Sequence, residues 1–187
     1  VTLLTSPNNP TGTTLPIDTA AAVLAVAAEQ GGGVVVDEAY AEFRRPGAAS
    51  ALGWLERLKK LIVTRTMSKA FAYAGARLGY LVASPAIVDA VRIVRLPYHL
   101  SAVTQAVASA AIAHADELLA QVEALRTERD SAVNWLRDKG FSVADSDSNF
   151  VLFGTFDDRH AVWQQLLDRG VLIRETGPAG WLRVSIG

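Results

Sequence analysis

Short apolar runs alternate with stretches of helical character along the first hundred residues. Four runs are predicted to form strands: Val1–Thr5, Val34–Asp37, Leu61–Thr66 and Leu78–Ala83. Three helices are predicted between or after these strands. The first is the Ala-rich segment Ile17–Gln30, which is followed by three glycines, and the second is a short helix that ends within Leu55–Lys60. The third begins at Pro85, with Ser84 as its N-cap. Short apolar strands separated by helices predict an α/β layer with a mainly parallel sheet.

After Pro97 the pattern becomes mostly helical. Residues 101–139 contain almost no helix breakers, which predicts one long helix, or two in sequence near His114, ended by Gly140. Four further strands and one helix are predicted beyond it: Phe141–Val143, Phe150–Phe153, Val171–Arg174, Trp181–Ile186 and the helix Arg159–Arg169. We therefore expect residues 1–105 to be part of a large ligand-binding domain. Residues 106–187 would form a long linking helix and a small α+β C-terminal domain, incomplete at its end.

Composition narrows the classes of function. Eighteen basic residues against nineteen acidic ones leave a net charge of −1, so nucleic acid is not an expected partner. The sequence contains no cysteine, which excludes disulfides, a cysteine zinc site and a thiol nucleophile, and no metal site is expected. Every apolar run is shorter than the ~20 residues of a membrane span, and we expect a cytoplasmic protein. The chain begins without Met, directly in a strand-like run, so we expect a fragment.

Unusual polar residues follow the predicted strands. In a doubly wound sheet, ligands bind outside the carboxyl ends of the strands. The first three strands are followed by the segments Ser6–Gly12, Asp37–Tyr40 and Thr66–Lys69, and Gly75–Arg77 precedes the fourth strand. The sequence therefore predicts that these polar groups meet at one ligand site.

Several of these residues have a functional and an ordinary interpretation. The apolar neighbours of Lys69 would desolvate it, which lowers the pKa of a lysine and makes it a usable nucleophile; otherwise it is a surface lysine. Asp37 at a strand end could pair with a protonated pyridine nitrogen, which Tyr40 could also reach, or it caps the strand. Asn9 offers an amide for a fixed hydrogen bond, or is a turn residue.

A phosphate site is a further hypothesis. Thr66, Ser68 and Arg77 supply two hydroxyls and a guanidinium around Lys69. Hydroxyls donate hydrogen bonds to phosphate, and arginine binds it in a bidentate manner, so the three residues form a plausible cradle.

Three segments resemble the signature segments of fold type I pyridoxal-phosphate (PLP) enzymes, the aspartate aminotransferase superfamily: SPNNPTG (6–12), DEAY (37–40) and TMSKAFAYAGARLGY (66–80). Three others are similar to the members that act on histidinol phosphate: RLPYHLS (95–101), SNFVLF (148–153) and LRVSIG (182–187). The resemblance covers essentially the whole chain.

The resemblance implies roles for the candidate residues. Lys69 would bind PLP covalently and then act as the general base, and Asp37 would pair with the pyridinium nitrogen. Asn9 and Tyr40 would hydrogen-bond the phenolic oxygen of the cofactor. The cofactor phosphate would be held by Ser68 and Arg77, with Thr66 as a weaker candidate.

Two arginines near the C-terminus match residues that bind substrates in these enzymes. Arg183 would bind the substrate carboxylate and the substrate phosphate, and Arg174 would be a second phosphate-binding arginine. Without the resemblance, the ordinary interpretation of both is a solvated salt bridge.

The implied reaction is transamination between histidinol phosphate and glutamate or 2-oxoglutarate, in histidine biosynthesis, by a homodimer. The alternatives are an aromatic amino-acid aminotransferase, a threonine-phosphate decarboxylase of similar build, and a non-catalytic binding or regulatory protein. Members of the superfamily have a longer N-terminal part with a phosphate-binding loop and an aromatic that stacks on PLP. We therefore expect this fragment alone to bind PLP weakly or not at all.

Overall fold

A four-stranded sheet organises the first half of the chain in the computed structural model, which describes residues 1–187 except for the side chain of Ile17. Its strands are β1 (Thr2–Thr5), β2 (Val34–Asp37), β3 (Leu61–Thr66) and β4 (Gly79–Ala83), in that order across the sheet. The β1–β2 and β2–β3 pairs are parallel, and β4 runs antiparallel to β3. The mainly parallel sheet is therefore confirmed.

The core of this unit lies between the central strands and helix α1 (Ile17–Glu29). Val34 and Val36 of β2 and Leu61 and Val63 of β3 are buried, and Leu24 of α1 packs on them. Burial of apolar surface contributes about 25 cal/mol per Å², so these β-branched runs stabilise the sheet that carries the strand ends.

The predicted helix at Leu55–Lys60 is wrong. A 3₁₀ helix forms earlier, at Ala51–Trp54, because the Ser50 hydroxyl accepts a hydrogen bond from the Leu52 amide at 3.2 Å and starts the turn there. Helix α2 (Pro85–Val94) begins at Pro85 as predicted. Ser84 occupies the N-cap position, but its hydroxyl donates to the Lys59 carbonyl at 2.9 Å instead of capping the helix.

Two helices in sequence occupy the long helical stretch, which is the second of the two predicted alternatives. They are α3 (Ala102–Ala113) and α4 (Ala115–Asp138), and His114 separates them. The Ser101 hydroxyl caps α3 by accepting from the Thr104 amide at 3.0 Å. Among the described residues, no helix has both the length and the apolar character that crossing a membrane requires.

A three-stranded antiparallel sheet organises the C-terminal part. Its strands are β5 (Ser142–Val143), β6 (Phe150–Gly154) and β7 (Leu182–Ser185), and helix α5 (Arg159–Leu167) connects β6 to β7. The predicted strand Val171–Arg174 is wrong except for one bridge at Arg174. The Val171 amide donates to the Leu166 carbonyl, so this run begins by closing the end of α5.

Candidate functional site

The predicted strand-end segments meet at one edge of the first sheet. Asn9 follows β1, Asp37 ends β2, and Lys69 follows β3. Thr5 pairs with Asp37, so β1 and β2 end level with one another, and Asp37 pairs with Thr64, two residues before the end of β3. Since β4 is antiparallel, the segment before it returns to the same edge.

Lys69 lies above a buried aromatic ring. Its Nζ is 5.5 Å from the centroid of the Tyr40 ring, and the Tyr40 side chain is buried. Met67 and Ala70 on either side are buried, whereas Lys69 itself is exposed. The desolvation expected from its apolar neighbours is therefore not observed, because those neighbours face the core and Lys69 faces the sheet edge.

Asp37, at the end of β2, is also exposed. Its Oδ1 accepts a hydrogen bond from the Ala39 amide at 3.0 Å. Successive side chains of a strand point to opposite faces, so Asp37 faces the edge while Glu38 turns inward.

A chain of contacts links this edge to the second sheet. The Arg183 Nη1 donates to Asn9 Oδ1 at 2.5 Å, and Asn9 Nδ2 lies 3.5 Å from the Tyr40 hydroxyl. The Arg183 guanidinium is 4.7 Å from the centroid of the Phe150 ring, which meets the Tyr40 ring edge-on at 5.3 Å. Among the described residues, the buried Arg183 Nε has no hydrogen-bond partner.

The three residues of the predicted phosphate cradle are only partly brought together. The Thr66 hydroxyl donates to the Leu78 carbonyl at 3.3 Å and accepts from the Ser68 amide at 3.1 Å, so it is engaged within the loop. The Met67 amide donates to the Leu78 carbonyl, which extends the β3–β4 pairing and places Ser68 and Arg77 on facing segments. Arg77 is exposed, and its Nη1 donates to the Ala74 carbonyl at 3.1 Å.

Arg174 and Arg183 are neighbours across two antiparallel segments. Their backbone amides and carbonyls exchange two hydrogen bonds of 2.9 Å each. Directly opposed residues of this kind project their side chains from the same face, so two guanidiniums lie on one side of the second sheet. Two adjacent cations favour a doubly charged anion.

Glu38 supports the segment that carries Asp37 and Tyr40, and sequence reasoning missed it. It is 1% exposed; its carboxylate pairs with Arg44 at 2.9 Å and Arg65 at 2.8 Å, and accepts from the Ala51 amide at 2.8 Å. Burial raises the pKa of Glu38, but the hydrogen bonds and the Arg44 charge outweigh it, and the pKa lies below its usual value. The sequence does contain a signal for Glu38: because side chains alternate along a strand, one of the adjacent carboxylates Asp37 and Glu38 must point inward.

Phe150 is a second residue that sequence reasoning did not assign to the site. It was predicted only as the start of a strand. Its ring touches both Arg183 and Tyr40, and thereby connects the two sheets. Nothing in the local sequence indicates these partners, because both lie more than thirty positions away.

Comparison with known proteins gives a consistent result. The profile of the family described as aminotransferase class I and II matches residues 1–187. The histidinol-phosphate aminotransferase of Thermobifida fusca is 66% identical over the whole chain and is half covered by it. Histidinol-phosphate aminotransferase 3 of Burkholderia lata is 64% identical with the same coverage. The chain thus spans about half the length of the curated relatives it matches.

A solved structure shows the same architecture. The histidinol-phosphate aminotransferase of Sinorhizobium meliloti, crystallised in complex with pyridoxal-5′-phosphate, is 30% identical and superposes with a TM-score of 0.85. The match covers 98% of this chain and 52% of that one. The expected fold class, fold type I with a mainly parallel sheet, is confirmed.

Proposed function

Because the chain belongs to the aminotransferase class I and II family, we propose that it is the part of a PLP-dependent aminotransferase that holds the cofactor-binding lysine. The reaction would exchange the amino group between histidinol phosphate and 2-oxoglutarate, in histidine biosynthesis. The observation that carries the proposal is Lys69 Nζ above the buried Tyr40 ring, at the sheet edge that Asn9 and Asp37 share. The names of the relatives support the choice of substrate.

The residues at the sheet edge fit PLP. A carboxylate has about four acceptor positions, and the Ala39 amide uses one position of Asp37, so this exposed group has capacity for a protonated ring nitrogen. Asn9 and Tyr40 supply an amide and a phenol for the ring oxygen. Ser68 and Arg77 would hold the phosphate, whereas Thr66, whose hydroxyl is engaged with Leu78 and Ser68, would shape the loop.

The chemistry divides between the cofactor and the chain. When bound, PLP supplies an electron sink for the negative charge that develops at the substrate Cα. Lys69 Nζ acts as the base that takes the Cα proton. The Asp37 carboxylate would pair with the ring nitrogen, and a neighbouring negative charge favours the protonated form of that nitrogen.

Arg174 and Arg183 would bind the acidic group of each substrate. Arg183 is only partly buried, and a guanidinium has five N–H donors, of which Nη1 uses one on Asn9 Oδ1. It therefore has donors left for a phosphate or carboxylate oxygen. The same pair of guanidiniums can thus accept the phosphate of histidinol phosphate and a carboxylate of 2-oxoglutarate in turn.

We further propose that residues 1–105 belong to the cofactor-binding domain, that residues 106–187 form the linking helices and small domain, and that the protein is a cytoplasmic homodimer. The exposed apolar side chains Ile93, Leu96 and Tyr98 support a covered surface. Light scattering on the product of the full open reading frame tests this, and a monomeric mass would contradict the dimer.

Substrate rates test the proposed reaction. The product of the full open reading frame, supplied with PLP and 2-oxoglutarate, should turn over histidinol phosphate faster than phenylalanine or threonine phosphate. A wide margin in favour of phenylalanine would identify an aromatic amino-acid aminotransferase, and carbon dioxide release from threonine phosphate a decarboxylase. No turnover, together with no absorbance from bound cofactor, would favour the non-catalytic protein.

A further inference from the structure

Asp147 lies where the two sheets meet, on the loop between β5 and β6, and is 5% exposed. Its Oδ1 accepts from the backbone amide and the Nε of Arg45, each at 3.0 Å. Its Oδ2 accepts from the Thr14 hydroxyl at 2.6 Å, and its own amide donates to the Gly12 carbonyl at 2.7 Å. One residue thus ties the C-terminal part to the loop after β1 and to the segment after β2.

Gly12 allows the loops to approach this closely. Its φ is +78°, and a Cβ at this position would lie 2.7 Å from the Ser146 Oγ. Only glycine fits such a contact at positive φ without displacement of a neighbour. The loop that carries Asn9 is therefore in direct contact with the loop that carries Asp147.

Arg129 of α4 fastens the same loop from the other side. It is fully buried, and its Nη1 donates to the Phe43 carbonyl at 2.6 Å and to the Ser148 carbonyl at 3.3 Å. Asp147 and Arg129 therefore hold residues 147–148 against residues 43–45 at two points. The next residues of the loop lead directly into Phe150, whose ring supports Arg183.

We propose that Asp147 is a positioning residue for substrate binding, which holds Arg183 where it reaches the acidic group of the substrate. This inference rests on the proposed function. Asp147 fixes the loop of Asn9 on one side and leads into Phe150 on the other, and Arg183 contacts both. Release of Asp147 would loosen the partners of Arg183 together, without touching Lys69 or Asp37.

Asp147→Asn is a sharp test because donors reach both carboxylate oxygens. Asparagine keeps one acceptor oxygen for the Arg45 amide and Nε, but it loses the charge that faces this guanidinium. Its Nδ2 must also donate to the Thr14 hydroxyl where the carboxylate accepted, which reverses the 2.6 Å bond. Asp145→Asn is the matched control, since Asp145 is on the same loop but is exposed, and its ion pair among the described residues is with the exposed Arg137, at 2.6 Å. Both variants remove one negative charge, so their difference isolates the contacts of Asp147.

The experiment uses the PLP-loaded product of the full open reading frame, with calorimetric binding of glutarate as the probe of the acid-binding site. Asp147→Asn should raise the Kd for glutarate and the KM for 2-oxoglutarate about tenfold and leave kcat within about twofold, because ground-state binding is weakened. Asp145→Asn should match the wild type. An unchanged Kd in Asp147→Asn, with wild-type turnover intact, would overturn the inference and leave the proposed function standing.

A double-mutant cycle separates positioning from general destabilisation. In an Arg183→Lys background, Asp147→Asn should add little further loss of glutarate affinity, because both act on one interaction. Fully additive losses would contradict the proposal. If Asp147→Asn does not fold, Thr14→Val keeps the charge and removes only one donor; it should raise the Kd for glutarate in the same direction, and an unchanged value would equally contradict the proposal.

Discussion

Asp37 and Glu38 are neighbours in the chain with opposite environments. Asp37 is exposed at the sheet edge, and Glu38 is buried among the guanidiniums of Arg44 and Arg65. The alternation of a strand sends one carboxylate to the site and the other into the packing beneath it. Replacement by the corresponding amide is therefore expected to affect activity at Asp37 and stability at Glu38.

Asp37→Asn should reduce kcat by about 10²-fold or more and leave thermal stability nearly unchanged, because the amide cannot keep a charge opposite the ring nitrogen. The asparagine Oδ1 can still accept from the Ala39 amide. Steady-state kinetics and a thermal melt on the full-length protein check both halves of this expectation. A kcat close to that of the wild type would mean that Asp37 is only structural.

At the scale of elements, the segment after β2 depends on its buried ion pairs. Glu38→Gln should destabilise the fold by about 3 kcal/mol, because it leaves the buried Arg44 and the partly buried Arg65 facing a neutral group. Glu42→Gln is the matched control: Glu42 is partly buried, and its one ion pair among the described residues is with Arg65, at 3.2 Å. Urea unfolding measures the free energy of unfolding of both variants. Equal losses in the two would show that Glu38 contributes no more than the partly buried Glu42.

The sequence was most informative where structure is decided locally. Strands β2 and β3 have the predicted bounds, because β-branched runs bounded by glycine or polar residues leave few alternatives. The run Val171–Arg174 looked equally strand-like, but its first residue closes the end of α5 through the Leu166 carbonyl, and only Arg174 forms a bridge with another segment.

The sequence predicted which strand-end residues meet at one edge of the sheet, but not the geometry of their contacts. Strand-end position brought Asn9, Asp37 and Lys69 to one edge, as expected from parallel strands. The contact of Arg183 with Asn9 joins residues 174 positions apart, and no local spacing indicates it. The exposure of Lys69 likewise depends on how the loop after β3 turns, since both of its buried neighbours are as apolar as predicted.

At the scale of the whole molecule, the junction between the sheets includes the Arg45–Asp147 ion pair and should be sensitive to acid. Burial raises the pKa of Asp147, but hydrogen bonds from Arg45 and Thr14 outweigh it, so its pKa lies below the usual value, as does that of Glu38. A carboxyl with a lowered folded pKa binds more protons when unfolded, so its stabilisation is present above about pH 4 and is lost as the pH falls through the folded pKa.

The free energy of unfolding should therefore fall below about pH 4, and Asp147→Asn should flatten part of this slope by removing one of the two groups. Urea titrations at a series of pH values measure the slope in both proteins. Greater stability on acidification, or an identical slope in the variant, would contradict the claim that the lowered pKa values of these two carboxyls cause the loss of stability in acid.

The central claim is that Lys69 holds the cofactor. The product of the full open reading frame should be incubated with PLP, reduced with borohydride, digested and analysed by mass spectrometry, with the Lys69→Ala variant in parallel. We expect a pyridoxyl group on Lys69 and none in the variant, which should also lose turnover. A pyridoxyl group on another lysine, or a Lys69→Ala protein that still turns over substrate, would contradict the account.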